Sequence, residues 1–167
     1  MPVPPDEGAR VKTLASRLVE GIVWDGGCAR WTRGHDHKGY GTIHVPDRGK
    51  RMVHRVVFEL QNGPIPAGLA VDHKCFTRDC INPEHLQLAT PAENMENRQG
   101  ARRDSSSGVR GVSWDSSRGK WYTSARKDGR TYSAGRYAML EDAERAAIAL
   151  RNQLFTNNLV DRGLAIE

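Results

Sequence analysis

The chain has 167 residues, of which 38% are hydrophobic, with mean hydropathy -0.64 and a formal net charge of +5. That length accommodates one ordinary domain or two small ones, and small domains usually need a metal or disulfides to supplement a thin core. No apolar run reaches membrane-spanning length, the opening Met1 to Glu7 lacks the basic and apolar regions of a secretory signal, and three cysteines, an odd count, argue against a disulfide framework. A cytoplasmic setting without membrane partners is therefore expected, with the cysteines available as metal-binding thiolates or as free buried thiols.

Pro2, Pro4 and Pro5 are expected in a disordered tail. From Arg10 to Ile22, apolar residues at Val11, Leu14, Ala15, Leu18, Val19 and Ile22 recur at a helical period and predict a helix packed on the first domain. From Cys28 to Thr90 short strands alternate with turns. Lys38-Gly39-Tyr40-Gly41 enters a strand running from Tyr40 to Val45, and Asp47-Arg48-Gly49-Lys50 turns the chain into a second extended run through Val53. His54 to Gln61 reads as a helix stopped by Asn62-Gly63-Pro64. Ala70 to His73 is predicted as a strand, Lys74 to Glu84 as a loop and Leu86 to Ala89 as a second strand. A helix then starts at Thr90-Pro91-Ala92-Glu93, with Thr90 as N-cap, Pro91 at the first helical position and Glu93 closing a capping box.

Arg98 to Ser107 has no apolar period and reads as a linker able to lie along phosphates. Three strands follow, Val109 to Trp114, Lys120 to Lys127 and Arg130 to Arg136, the last two joined by the hairpin signal Asp128-Gly129. Glu141 to Phe155 is predicted as a helix with Ala143, Ala146, Ala147, Leu150 and Leu154 on one stripe. The period of two places Trp121, Thr123 and Ala125, with Tyr132 and Ala134 across from them, on the face that takes this helix. Lys120, Tyr122, Ser124 and Arg126, with Thr131 and Ser133, fall on the other. Between Arg102 and Arg136 nine Lys or Arg stand against three Asp, so the basic charge is concentrated here and interleaved with Trp114, Trp121, Tyr122 and Tyr132. That combination is the footprint of a phosphate-backbone binder, although a solvated charged face has the same composition.

The residues from 71 to 94 carry two kinds of chemistry. Asp72 sets a hard oxygen ligand beside the imidazole of His73, which exchanges a proton near neutral pH. The two can serve one site only if the strand bends there, since neighbours on a regular strand face opposite sides. Cys75, Cys80 and His85, with Cys28 upstream, have the donor types of a closed tetrahedral Zn²⁺ site, which would tie the N-terminal segment to the loop between the two strands. His85 could instead touch a catalytic ion, and His35, His37 and His44 are spare candidates.

The stretch from Cys28 to Arg98 resembles the HNH nuclease family. The resemblance rests on Gly39-Tyr40-Gly41, His54-Arg55, Gly63-Pro64-Ile65-Pro66, Val71-Asp72-His73, Asn82-Pro83-Glu84-His85-Leu86 and Thr90-Pro91-Ala92-Glu93-Asn94. It implies a ββα-metal fold in which His73 is the general base and Asp72 and Asn94 hold a catalytic Mg²⁺ or Mn²⁺. Asn94 stands where the family often has histidine, as in the phage homing-endonuclease branch, and Arg55 would meet phosphate. Residues 107 to 155 look like the plant Apetala/ethylene-response-factor DNA-binding domain. This second resemblance rests on Ser107-Gly108-Val109-Arg110-Gly111-Val112, Gly119-Lys120-Trp121, Ala134-Gly135-Arg136-Tyr137 and the helix with Glu141, Ala143, Ala146 and Ala147. It implies DNA contacts from Arg110, Lys120 and Arg126, to which the basic face adds Tyr122 and the linker adds Arg102 and Arg103. Thr131 and Ser133 replace the arginine and tryptophan that the plant domains use in the third strand, so the target sequence does not carry over.

The expected fold class is α+β: an N-terminal helix and tail (1–25), a zinc-stabilised ββα-metal HNH domain (26–99), a linker (100–107), a three-stranded antiparallel sheet packed on one helix (108–158) and a tail (159–167). The expected function is metal-dependent hydrolysis of duplex DNA by a phage-type homing or free-standing endonuclease in a bacterial host cell, acting as a monomer that nicks or as a homodimer. The alternatives are a DNA-binding regulator whose HNH fold is an inactive zinc module and, from a third class, an RNA-binding protein.

Overall fold

Trp31 organises the first half of the molecule, with 2% of its surface exposed. The computed structural model describes residues 12–166, so the expected tail at Pro2, Pro4 and Pro5 and the first residues of the expected N-terminal helix lie outside the described residues. The helix α1 covers Leu14–Val19, with the Thr13 side chain accepting from Ser16 N–H at its start. It is shorter than the apolar period predicts because Ile22 opens a strand and pairs with Trp31 instead of extending the helical stripe. β1 (Ile22–Asp25) and β2 (Cys28–Trp31) form an antiparallel hairpin closed by Gly26 and Gly27, both at positive φ, 52° and 79°. Such a two-residue turn matches the strand twist and needs residues that tolerate the left-handed region. β3 (Thr42–Val45) and β4 (Gly49–Met52) form a second hairpin, and α2 (Val53–Asn62) follows at once, stopping at Gly63 with φ 81°.

These elements share one core of Leu18, Ala29, Trp31, Ile43, Val45, Val53, Val56 and Ile81. Ile81 reaches it because the backbone of Asp79 to Ile81 runs along β2: Trp31 N–H donates to Asp79 O (2.8 Å) and Ile81 N–H to Ala29 O (2.8 Å). The Arg30 guanidinium grips Asp79 with two bonds of 2.7 and 2.9 Å, a forked geometry that fixes orientation as well as charge. Gly41 is required by the same core, since a Cβ on it would lie 2.7 Å from Trp31 Cδ1.

Contacts gather into two units, one comprising the described part of Met1–Gly63 with Thr77–Leu86, the other Pro64–Phe76 with the described part of Gln87–Glu167. The second holds β5 (Ala70–His73) and all of β6 (Leu86–Ala89) but its first residue, and these two strands pair; a 3-10 turn at Pro83–His85, in the first, precedes β6. α3 (Pro91–Glu96) begins with the expected capping box: Thr90 Oγ1 accepts from Glu93 N–H, and Glu93 Oε2 accepts from Thr90 N–H at 2.8 Å. These bonds hold the Glu93 carboxyl below its ordinary pKa, the Thr90 N–H contributing most.

β7 (Val112–Asp115), β8 (Lys120–Lys127) and β9 (Arg130–Tyr137) form an antiparallel sheet in that order, followed by α4 (Leu140–Leu154). Val112, Ala143 and Ala147 are the buried contact between sheet and helix, with Val109, Trp121, Tyr137 and Leu140 packed around them. The register differs from a strict period of two. Thr123 pairs with Gly135 but Ser124 pairs with Ser133, so Ala134 is an extra residue in β9. This bulge reverses the facing of the rest of the strand, turning Tyr137 toward the helix and Arg136 out beside Tyr122.

The chain after α4 is firmly held. Arg151, 4% exposed, binds Asp161 at 2.6 and 3.0 Å and donates to Arg110 O; Asn158, 1% exposed, donates to Asn152 Oδ1 and Asp161 Oδ2. Glu96, 5% exposed at the end of α3, receives the Lys127 ammonium, the N–H groups of Thr156 and Asn157 and the Thr156 hydroxyl. Among the described residues, no helix is long and apolar enough to cross a membrane.

Two outcomes follow for stability. Gly41→Ala should destabilise the chain by about 1–3 kcal/mol in urea unfolding, because the rigid indole has no free end to move. At Glu96, burial works to raise the carboxyl pKa, but Lys127 and the two N–H groups outweigh it and the net shift is downward. A depressed folded-state pKa gives stability present above the unfolded value and lost as pH falls through the folded one. Glu96→Gln should therefore cost about 2 kcal/mol at about pH 7, with the gap to wild type closing as urea unfolding is repeated below about pH 4.

Candidate functional site

Cys28, Cys75, Cys80 and His85 are all buried, and one donor atom from each lies within 4.8 Å of the others. The local reasons are visible in the chain. Cys28 starts β2; Cys80 sits in the segment bonded along that strand and bridges to Arg30. Asn82 starts the 3-10 turn, accepting from Glu84 N–H while its own amide donates to Gly27 O, and Pro83 fixes the next φ. His85 ends that turn with Nδ1 at 3.5 Å from Cys28 Sγ and 3.6 Å from Cys80 Sγ. Bonds of about 2.3 Å to sulfur and 2.0–2.1 Å to nitrogen at tetrahedral angles put such a pair of donors about 3.6 Å apart, so the donor set fits a structural Zn²⁺. None of the cysteines forms a disulfide. The structure thus brings His85 to the cysteines, whereas His35, His37 and His44 are exposed and outside the cluster.

Asp72 stands on β5, half-buried, and His73 ends the strand, buried. Burial alternates along β5 as in any regular strand, but the chain leaves it at His73: Phe76 N–H returns to His73 O (3.3 Å), and Phe76 takes a positive φ of 57°. Asp72 Oδ2 accepts three side-chain amides: Asn97 Nδ2 at 2.9 Å, Gln87 Nε2 at 3.3 Å and Asn157 Nδ2 at 3.5 Å. Its other oxygen takes no hydrogen bond among the described residues. Asn94 is exposed on α3, one turn before Asn97, and residues three apart on a helix share a face.

Gln87, Asn97 and Asn157 were not legible as a set. Asn97 could have been noticed, since it repeats Asn94 at helical spacing. Nothing local marks Asn157, which is 85 residues from Asp72.

The outer face of the sheet carries Lys120, Tyr122, Ser124 and Arg126 on β8, opposite Arg136, Ser133 and Thr131 on β9. The Arg136 guanidinium lies over the Tyr122 ring at 4.8 Å and is held by Asp115 at 2.7 Å. Hydrogen bonds from Ser117 and Arg136, in that order, hold the Asp115 carboxyl well below the usual carboxylate range. Lys120, Arg126, Arg102 and Arg103 are exposed and make no ion pair among the described residues. Arg110 differs: its guanidinium donates to the carbonyls of Arg98 (3.0 Å), Glu96 (2.9 Å) and Met95 (3.4 Å), neutralising the negative end of α3, and lies over the Phe155 ring at 5.4 Å. Burial lowers its pKa. Arg55, half-buried on α2, shares a shallow depression with Lys50 and Arg51.

A strand pair and a helix lie around one carboxylate, and a basic three-stranded sheet backed by a helix follows, the order of elements that the two resemblances imply. The comparisons agree. The family model described as HNH endonuclease matches residues 51–96, and the one described as AP2 domain matches residues 107–157. The chain is 43% identical over 70 residues to Protein 7.7 of Escherichia phage T7 (41% of this chain, 52% of that protein) and 37% identical over 83 residues to Protein 2.8 of the same phage (48% and 56%). It is 32% identical over 90 residues to the phage's Protein 3.8, covering 53% of this chain and 72% of that protein. It spans about half the length of the first two of these curated relatives. No solved structure matches it. The chain belongs to the HNH endonuclease family and carries an AP2-type DNA-binding domain behind the nuclease segment.

The metal-binding arrangement has a direct consequence. Protein purified without chelator should carry about one zinc per chain by atomic emission, and Cys80→Ser should lose the zinc together with the cooperative unfolding of the first unit.

Proposed function

We propose that the chain is a metal-dependent endonuclease of free-standing or homing phage type that hydrolyses phosphodiester bonds of duplex DNA, each site cutting one strand at a time. The observation that carries this reading is the Asp72 carboxylate, anchored through one oxygen by three amides while the other takes no hydrogen bond among the described residues. Oxygen donors suit a hard divalent ion, so Asp72 Oδ1 and the Asn94 carboxamide would hold Mg²⁺ or Mn²⁺. An ion held there would supply neutralisation of the charge that builds up as the phosphodiester is cleaved.

The remaining chemistry belongs to the chain's own residues. His73, where the backbone turns out of β5, takes the proton of the attacking water; imidazole is the side chain suited to that near neutral pH. The amides on Asp72 keep its carboxylate from rotating, which preserves one oxygen for the ion. Arg55 meets backbone phosphate, as do Arg102 and Arg103 in the linker. Lys120, Tyr122 and Arg126 present the face that lies against the duplex, where a small sheet can reach base edges in the major groove. With Arg110 tied to the end of α3, the contact weight falls on Lys120 and Arg126. The Cys3His cluster would hold Zn²⁺ through four protein donors and so serve a structural role. The phage origin of the relatives supports a setting inside an infected bacterial cell.

Supercoiled plasmid incubated with the protein and Mg²⁺ should be converted to open circles. His73→Ala should slow that conversion by at least about 100-fold while leaving the duplex mobility shift in place. A wild-type protein that shifts the plasmid without nicking it would replace this reading with that of a DNA-binding regulator.

A further inference from the structure

Asn157 lies just beyond α4, in the segment that follows the sheet-and-helix module, and yet its side chain is built into the surroundings of Asp72. Its Nδ2 donates to Asp72 Oδ2 (3.5 Å) and to Glu93 O (3.3 Å), and its Oδ1 accepts from Gln87 Nε2 (3.2 Å), the same nitrogen that reaches Asp72 at 3.3 Å. The amide is half-buried, and every polar atom of it has a defined partner, so its orientation follows from the network. Asn97 repeats the pattern: its Oδ1 accepts from Leu159 N–H (3.2 Å), which turns its Nδ2 toward Asp72 at 2.9 Å.

The segment itself is pinned from below by Glu96. That carboxylate takes the backbone N–H of both Thr156 (2.9 Å) and Asn157 (3.3 Å), the Thr156 hydroxyl (3.2 Å) and the ammonium of Lys127, which belongs to the hairpin of the basic sheet. A continuous set of polar contacts therefore runs from that hairpin through Glu96 and the 156–159 segment to the carboxylate on β5. A tether needs no such contacts; it needs only a covalent linker.

We infer that Asn157 is a positioning residue for the metal-ligating Asp72, supplied to the nuclease site by the chain that follows the DNA-binding module. This rests on the nuclease reading of Asp72 given above. The amide restrains the carboxylate through Oδ2, so its loss lets Asp72 rotate and weakens divalent-ion binding without touching DNA or the scissile phosphate. Outer contacts of this kind are typically worth about tenfold to a hundredfold in metal affinity.

The test compares full-length, zinc-loaded wild type with Asn157→Ala and with Asn157→Leu, a near-isosteric change that removes the amide and leaves no cavity. Mn²⁺ affinity is read by electron paramagnetic resonance, the Mg²⁺ concentration for half-maximal plasmid nicking is measured alongside, and thermal unfolding and the metal-free mobility shift report on folding and DNA binding. Both Mn²⁺ dissociation and the Mg²⁺ requirement should rise by about tenfold or more, the nicking rate at saturating metal should stay within about threefold, and the metal-free mobility shift should not change. Unchanged Mn²⁺ affinity in a variant that folds would overturn the inference. So would the loss of both the thermal transition and DNA binding in the Ala and Leu variants, which would show a structural role only. A wild type that binds Mn²⁺ but never nicks would sink the nuclease reading alone, and the Mn²⁺ comparison would still decide the role of Asn157. A wild type that binds no Mn²⁺ would remove both.

Discussion

A carboxylate 5% exposed has to be met by charge or by several hydrogen bonds, and Glu96 is met by both. The position is unfavourable in itself, since the end of a helix already carries partial negative charge. Lys127 and the N–H groups of Thr156 and Asn157 compensate at the side chain, while the Arg110 guanidinium takes the carbonyls of Met95 and Glu96. With its C-terminal end fixed in this way, a helix of only six residues holds one orientation. Asn97 is then aimed at Asp72, and the amides of Gln87 and Asn157 complete the restraint on that carboxylate. Removing the compensation at Glu96 would release the helix on which the candidate catalytic ligands depend.

The first unit meets a different constraint. Its core centres on Trp31, and the two hairpins and two helices around it are short. A core this small leaves little margin over the conformational entropy of ordering the chain. The Asp79–Ile81 segment adds backbone bonds along β2 and the Arg30 fork, and three of the four candidate zinc donors, Cys28, Cys80 and His85, belong to the same unit. The two candidate sites differ in donor type: sulfur and imidazole in one, a carboxylate ringed by side-chain amides in the other.

On the basic sheet a single inserted residue changes the surface. Because Ala134 is unpaired, Arg136 shares a face with Tyr122 instead of lying beneath the helix, and its guanidinium is stacked and ion-paired in place. Lys120 and Arg126 flank this fixed group without ion pairs among the described residues, and so keep their charge available to phosphate. The face thus sets one cation fixed in orientation beside two that make no ion pair among the described residues.

The sequence by itself determined what neighbours in the chain can decide. The strands from Ala70 to His73, Leu86 to Ala89 and Lys120 to Lys127, the capping box at Thr90 and Glu93, and the stop at Gly63 all follow from periods and caps acting within a few residues. The donor types for a zinc cluster and the Asp72-His73 pair were legible for the same reason, as side chains of known chemistry in one short stretch. Where local and distant demands competed, the local reading missed: Ile22 left its helical stripe to face Trp31, and the bulge at Ala134 shifted the facing of β9. Only the tertiary structure decided which oxygen of Asp72 is held and by what. Its partners come from β6, the end of α3 and the segment beyond α4, at separations of 15, 25 and 85 residues. No sequence period encodes such contacts. They exist because a half-buried carboxylate requires donors, and packing alone determines which donors are near enough to serve.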